Sequence, residues 1–127
     1  LSSKILVDEL AGKTAAGNIT ITSEGGSATM QLQQGLVKAW NNTDSAGTTI
    51  NDSFNISSLT DVGAGRQGHN VTNLFNNANH APTFSVGVNY NQMWTWNMVT
   101  TAWNTALSTG SSYVDGAVRT SSSGDLA

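Results

Sequence analysis

The sequence predicts an all-β fold: an antiparallel, jelly-roll-like β-sandwich over residues 36–127, preceded by a short N-terminal segment of β-strands over residues 1–35. Three observations predict it. Apolar side chains recur at every second position, as at Ile50, Phe54 and Ile56 and again at Phe84 and Val86, which is the period of a strand with one face buried. Before Gly35 the glycine spacing leaves no room for three helical turns. Ser, Thr and Asn fill much of the rest, favouring strands and turns over helix interiors.

Within residues 1–35, KILVDEL, NITITSE and ATMQLQQ are three short β-prone runs separated by Gly12, Gly17, Gly25 and Gly26 and closed by Gly35. Ile19 and Ile21 alternate with Thr20 and Thr22, and Met30 with Leu32. Three such strands bury little by themselves. A meander packed on the main domain is the reading that the residues themselves offer.

From Leu36 onward, Ala39 and Trp40 open a strand, with Trp40 assigned to the core. Ile50, Phe54 and Ile56 share one parity, Leu59 and Val62 the other, so a bulge is expected near Ser57 and Ser58. Asp61-Val62-Gly63-Ala64-Gly65 carries turn chemistry, with a return strand from about His69. Phe84, Val86, Val88 and Tyr90 alternate with polar residues, and the same parity resumes at Trp94, Trp96 and Met98. This predicts a long strand pair or a hairpin turned near Asn91 and Gln92. Pro82, the only proline, opens it where no ladder donor is needed. On this reading Phe84, Val86, Val88, Trp94 and Trp96 face one interior or subunit interface, and Trp94→Ala or Trp96→Ala is expected to cost ~3–5 kcal/mol. Thr100 to Leu107 reads as strand or loop, Tyr113 to Arg119 as a last strand, and SSSGDLA as a loop or closing arm. No repeat of solenoid or propeller period is visible.

Composition narrows the function classes. A net charge of −3 with 10% charged residues leaves no basic footprint for nucleic acid. The sequence has no cysteine, hence no disulfide framework and no thiolate metal site. No run approaches ~18 apolar residues, so membrane insertion is not expected. Lys4, Asp8 and Glu9 interrupt the first ten residues, unlike a signal peptide. The modest 38% hydrophobic content invites self-association to bury more surface.

Several motifs invite chemistry and lack the context it needs. Gly63-Ala64-Gly65-Arg66-Gln67-Gly68 matches G-x-G-x-x-G, but no helical pattern follows and no carboxylate lies about 20 residues on, so it reads as a hairpin turn. His69 and His80 have no third ligand at metal spacing and read as surface or partly buried residues. One histidine from each of three chains on an axis could still build a site. No G-x-S-x-G elbow occurs. Asp44, Asp52, Asp61, Asp115 and Glu24 fall mostly in turns, where capping explains them. No catalytic, cofactor-binding or metal residue is therefore assigned, and an enzyme is not expected. The N-x-[ST] matches at Asn18, Asn41, Asn51, Asn55 and Asn70 follow from composition. Tyr90, Trp94, Trp96, Trp103 and Tyr113 read as core or interface by their spacing, with sugar stacking as the alternative.

Ala39-Trp40, the run Ser53-Phe54-Asn55-Ile56-Ser57-Ser58-Leu59-Thr60-Asp61, Gly63 and Gly65, Asn70 to Phe75 and the terminal Gly124-Asp125-Leu126-Ala127 resemble a small β-rich family of bacteriophage tail-fibre or virion structural proteins. The resemblance implies a virion protein on the tail or capsid exterior. It would be a short tail fibre or tail appendage, a homotrimer joined to other virion proteins through residues 1–35, with a host-surface glycan or receptor as a further contact. A capsid decoration or head-fibre protein is the alternative within the family. A carbohydrate-binding module using Trp94, Trp96 or Trp103 is the alternative outside it.

Overall fold

The computed structural model describes residues 3–86 and 92–127 and divides the chain into two compact units, Leu1–Leu36 and Val37–Ala127. Val88, Tyr90 and Asn91, which the sequence places on the long strand pair, lie outside the described residues. The protein is all-β, with antiparallel sheets packed as a β-sandwich in the larger unit.

The first unit holds a hairpin of β1 (Thr20–Thr22) and β2 (Thr29–Gln31), followed by a 3-10 turn at Leu32–Gly35. The Gln31 side chain donates to Asn18 Oδ1 at 2.8 Å and ties the hairpin to the preceding chain. Residues 4–10, expected as a strand, pair with nothing and form no regular element. Their apolar side chains have no buried face to turn toward: none of residues 3–36 is buried, and Ile5 and Leu6 are 84% and 88% exposed.

The second unit contains two four-stranded sheets. One has the order β4-β3-β10-β7, from β4 (Ile50–Phe54), β3 (Ala39–Thr43), β10 (Val118–Ser123) and β7 (Ala81–Val86). The other has the order β5-β6-β9-β8, from β5 (Ile56–Gly63), β6 (Arg66–Val71), β9 (Ala102–Ser108) and β8 (Gln92–Val99). All neighbours run antiparallel. Pro82 lies on β7, an edge strand, where its missing N–H costs least.

The run Ile50 to Val62 is not one strand but two, divided between the sheets at Asn55. Asn55 has φ 57°, the left-handed region that Asn tolerates better than other non-glycine residues. Its side chain holds the corner: Nδ2 donates to the Lys38 and Asn73 carbonyls at 3.0 and 3.1 Å, and Oδ1 accepts from the Asn73 N–H at 2.6 Å. The register shift expected near Ser57 and Ser58 lies between Ile56 and Ser58.

Phe84 and Val86 turn inward, paired with the buried Thr120 and Val118. The next strand, however, joins the other sheet. β7 pairs with β10 and β8 with β9, so among the described residues these two runs form no common ladder. The last strand is also shifted toward the C-terminus. Tyr113 makes only an isolated bridge to Ser108, whereas Ser121, Ser122 and Ser123 belong to β10. Residues 124–127 then close the sandwich as an arm: Leu126 bridges to Phe75, and Ala127 N donates to the Leu74 carbonyl at 2.8 Å.

The interior is small and unusually polar. Ala39, Val71, Phe75 and Trp103 form its apolar cluster, with Ile56 packed against it. Around them Asn41, Thr43, His69, His80, Thr105, Thr120 and Ser122 are also buried. Most are hydrogen-bonded, which is what lets a polar side chain remain inside without a large desolvation loss. Thr43 Oγ1, for example, accepts from the Val118 N–H at 2.9 Å across neighbouring strands. The amide of Asn41 is the exception, with neither nitrogen nor oxygen partnered.

Because Asn55 supplies both the backbone conformation and three bonds, Asn55→Ala is expected to destabilise the protein by ~2–4 kcal/mol. Asn55→Gly, which relieves only the backbone strain, should recover ~1–2 kcal/mol of that loss in denaturant titrations.

Candidate functional site

Trp103 is fully buried and faces the opposite sheet: its Nε1–H donates to Thr120 Oγ1 at 3.1 Å. That placement removes it as a stacking platform. It also fixes the sidedness of the strands beside it. Trp103, Thr105 and Leu107 point inward, so Asn104 and Ala106 point outward, and with them their register partners Trp96 and Trp94. Trp94 and Trp96 are half-buried on the outer face, not in a common interior with Phe84 and Val86. The cost expected for truncating them falls accordingly, since half-buried area contributes proportionately less. Trp40 is likewise half-buried, alternating with the buried Ala39 and Asn41. Shared parity in sequence did not survive the change of sheet.

The two histidines are core residues rather than surface ones. His69 is stacked on Trp103 with ring centroids 5.5 Å apart, and its Nε2 lies 2.9 Å from Thr105 Oγ1, while Nδ1 has no partner. His80 stacks on Phe75 at 4.1 Å and meets Trp103 edge-on. Its Nε2 bonds the Val99 carbonyl at 3.1 Å, so Nε2 is the donor and, in the neutral ring, Nδ1 accepts from the Ser122 hydroxyl at 2.9 Å. Burial holds His69 neutral, lowering its pKa from 6.5 to about 4. Burial also lowers that of His80, opposed by its bond to the Val99 carbonyl. Among the described residues, no group of three His, Asp or Glu side chains is placed to hold a metal ion.

A cleft of about 340 Å³ in the sandwich is lined by residues of the β3–β4 loop, β5, β6 and the 109–117 loop. An aspartate organises each of its walls. Asp44 Oδ1 accepts from the Thr48 and Thr49 N–H groups at 2.8 and 3.1 Å, and the Thr49 bond in particular holds its carboxyl below the usual pKa. Asp61 Oδ1 accepts from Gly63 N at 2.7 Å, and Asp115 Oδ1 from Gly65 N at 2.6 Å. Gly63-Ala64-Gly65 is thus the hairpin turn expected, with strand β6 following it rather than a helix. Gly65 has φ 64°, and a Cβ there would lie 2.5 Å from Val114 N. Only glycine lets the turn approach the 109–117 loop so closely.

No known protein family, curated protein or solved structure matches this chain. The site must therefore be read from its own residues. Asp61, Asp115, Arg66, Gln67, Thr48 and Thr60 all line the cleft. Gln67 is 8% exposed, packed against Gly47, and its Oε1 has no hydrogen-bond partner. On the outer face of the sheet the Arg66 guanidinium lies 5.0 Å above the Tyr113 ring, which in turn sits 5.6 Å from Trp94. A cation over an aromatic face is attracted by the ring quadrupole, so Arg66 and Tyr113 hold each other in place.

Sequence spacing places Asp61 and Asp115 far apart, and their convergence needs the 109–117 loop to fold against the β5–β6 turn. The turn chemistry itself was legible. The remaining candidates scatter: Asp52 Oδ1 accepts from the Ser53 N–H, and Glu24 belongs to the first unit.

A pH prediction follows from the buried imidazoles. His69 is neutral in the fold but protonates below pH 6.5 when unfolded, so the unfolded state binds the extra proton between about pH 6.5 and 4. Stability should be fully present above that window and fall by ~3 kcal/mol across it from this residue. Denaturant titrations from pH 7 to 4 check this, with His69→Gln expected to flatten the slope by about one proton.

Proposed function

We propose that this protein is a bacteriophage virion structural protein, a short tail fibre or tail appendage. Its N-terminal unit joins it to other virion proteins, and its sandwich is displayed on the exterior. One observation carries the reading: the Leu1–Leu36 unit holds no buried residue among those described and presents Ile5, Leu6, Val7 and Leu10 to solvent. A two-stranded hairpin is at best marginally stable alone, and a run of exposed apolar side chains marks an interaction surface. Such a unit gains its core from a partner. The second unit needs no such help, since it has two complete sheets around Trp103. The sequence resemblance to phage appendage proteins supplies the identity of the partner as another virion protein, and assembly as a homotrimer.

The test is deletion. Removing residues 1–35 should leave the sandwich with its own cooperative melting transition and abolish incorporation into virus particles, read by immunoblot of purified particles. Normal incorporation of the truncated chain would defeat the assignment. Position and copy number on intact particles, seen by electron microscopy with a labelled chain, distinguish a tail appendage from capsid decoration.

A further inference from the structure

The outer edge of β8 and the run of residues 4–10 are each half of a ladder, and from them we infer that copies of this chain associate head to tail. Residues 4–10 of one copy add as a strand to β8 of the next.

Strand β8 lies at the edge of its sheet and pairs only with β9 among the described residues. The backbone groups along its other side have no strand to meet. Exposed edges are ordinarily blunted by a charge, a proline or a bulge. The other three edge strands carry such devices: β4 has Asp52, β5 has Asp61 and two register shifts, and β7 has Pro82. β8, of sequence QMWTWNMV, has neither charge nor proline, and its register shift comes only after Trp96. Gln92 to Trp96 is left as a regular, open edge.

Burial gives a second, independent sign that a strand belongs there. Met93 is the register partner of Leu107, which is 1% exposed, so it points toward the same inner face, yet Met93 itself is 45% exposed. An inward side chain stays this exposed where the layer beside it ends. On the outer face Trp94 and Trp96 are half-buried. A strand added here therefore meets apolar side chains on both of its faces, and needs its own to match.

Residues 4–10 meet that need. In extended form the run sets Ile5 and Val7 on one face and Leu6 and Leu10 on the other. All four are at least 60% exposed, and the run belongs to no ladder. Charge complementarity also favours it: Lys4, Asp8 and Glu9 meet no like charge, because neither β8 nor β9 holds a charged residue. Pairing two β8 edges would leave residues 4–10 uncovered, and pairing two such runs would leave β8 open. Only the heterologous arrangement completes both halves, and it closes as a ring where the rotation between copies allows.

The inference rests on the reading that the first unit gains its core from a partner, and it names a neighbouring copy as that partner for residues 4–10. The test uses the full chain and two variants, with mass read by light scattering and native mass spectrometry. Val7→Pro removes a ladder donor from a run that forms no regular element, so the sandwich keeps its fold. Met93→Lys places a charge on the open edge at an exposed position. The unaltered chain should form oligomers, and each variant alone should be monomeric with an unchanged circular dichroism spectrum. Mixed in equal amounts, the two variants should form pairs and nothing larger, because one intact run then meets one intact edge. A monomeric unaltered chain, assembly that survives either substitution, or a mixture that stays monomeric or grows beyond pairs would overturn the proposal. Survival of Val7→Pro oligomers alone would assign the contact to two β8 edges instead. A chain that enters particles as a monomer loses only this inference. One that exchanges strands as described but never enters particles loses only the attachment reading.

Discussion

The sandwich depends on Trp103. It is the largest fully buried side chain and belongs to β9, an inner strand of its sheet. Its indole N–H reaches Thr120 of the opposite sheet, and Thr120 Oγ1 passes a bond on to the Thr83 carbonyl at 2.8 Å. A single side chain therefore supplies apolar contact and connects three strands through hydrogen bonds. Phe75, His69 and His80 pack around it at ring-centroid distances of 5.5–6.3 Å. With so few aliphatic residues inside, these aromatic and imidazole contacts stand in for the leucine and isoleucine packing of a more ordinary core.

A core of this kind has consequences. Buried Thr, Ser and His residues contribute only when their polar atoms find partners, so each inner strand is tied to its neighbours by specific bonds rather than by area alone. Cohesion becomes directional, and the histidines make it sensitive to protons. The closing arm shows the same economy of contact. A Cβ at Gly124 would lie 2.9 Å from His80 Cβ, so the chain passes close over the imidazole before Leu126 reaches Phe75.

The two units divide the work physically. One closes its own sheets and shapes a cleft from loops that its aspartates hold rigid. The other leaves Ile5, Leu6, Val7 and Leu10 exposed and gains little by folding alone.

The amino-acid sequence by itself determined the class of structure and much of its punctuation. Period-two spacing put Phe84 and Val86 on an inward face, glycine chemistry placed the turn at Ala64 and Gly65, and the low charge followed directly from composition. Such features were legible because strand alternation and positive φ are local properties, dictated by a few neighbouring residues. Parity cannot say which sheet a strand joins. The same alternation that buried Phe84 left Trp94 and Trp96 outside, because β7 and β8 pair in different sheets. Nor could spacing reveal that Asn55 turns the chain between layers, that both histidines enter the core, or that Asp61 and Asp115 share a cleft. Those are decided by long-range pairing, in which residues dozens of positions apart are brought together by the burial of surface around Trp103, and only the tertiary structure holds that information.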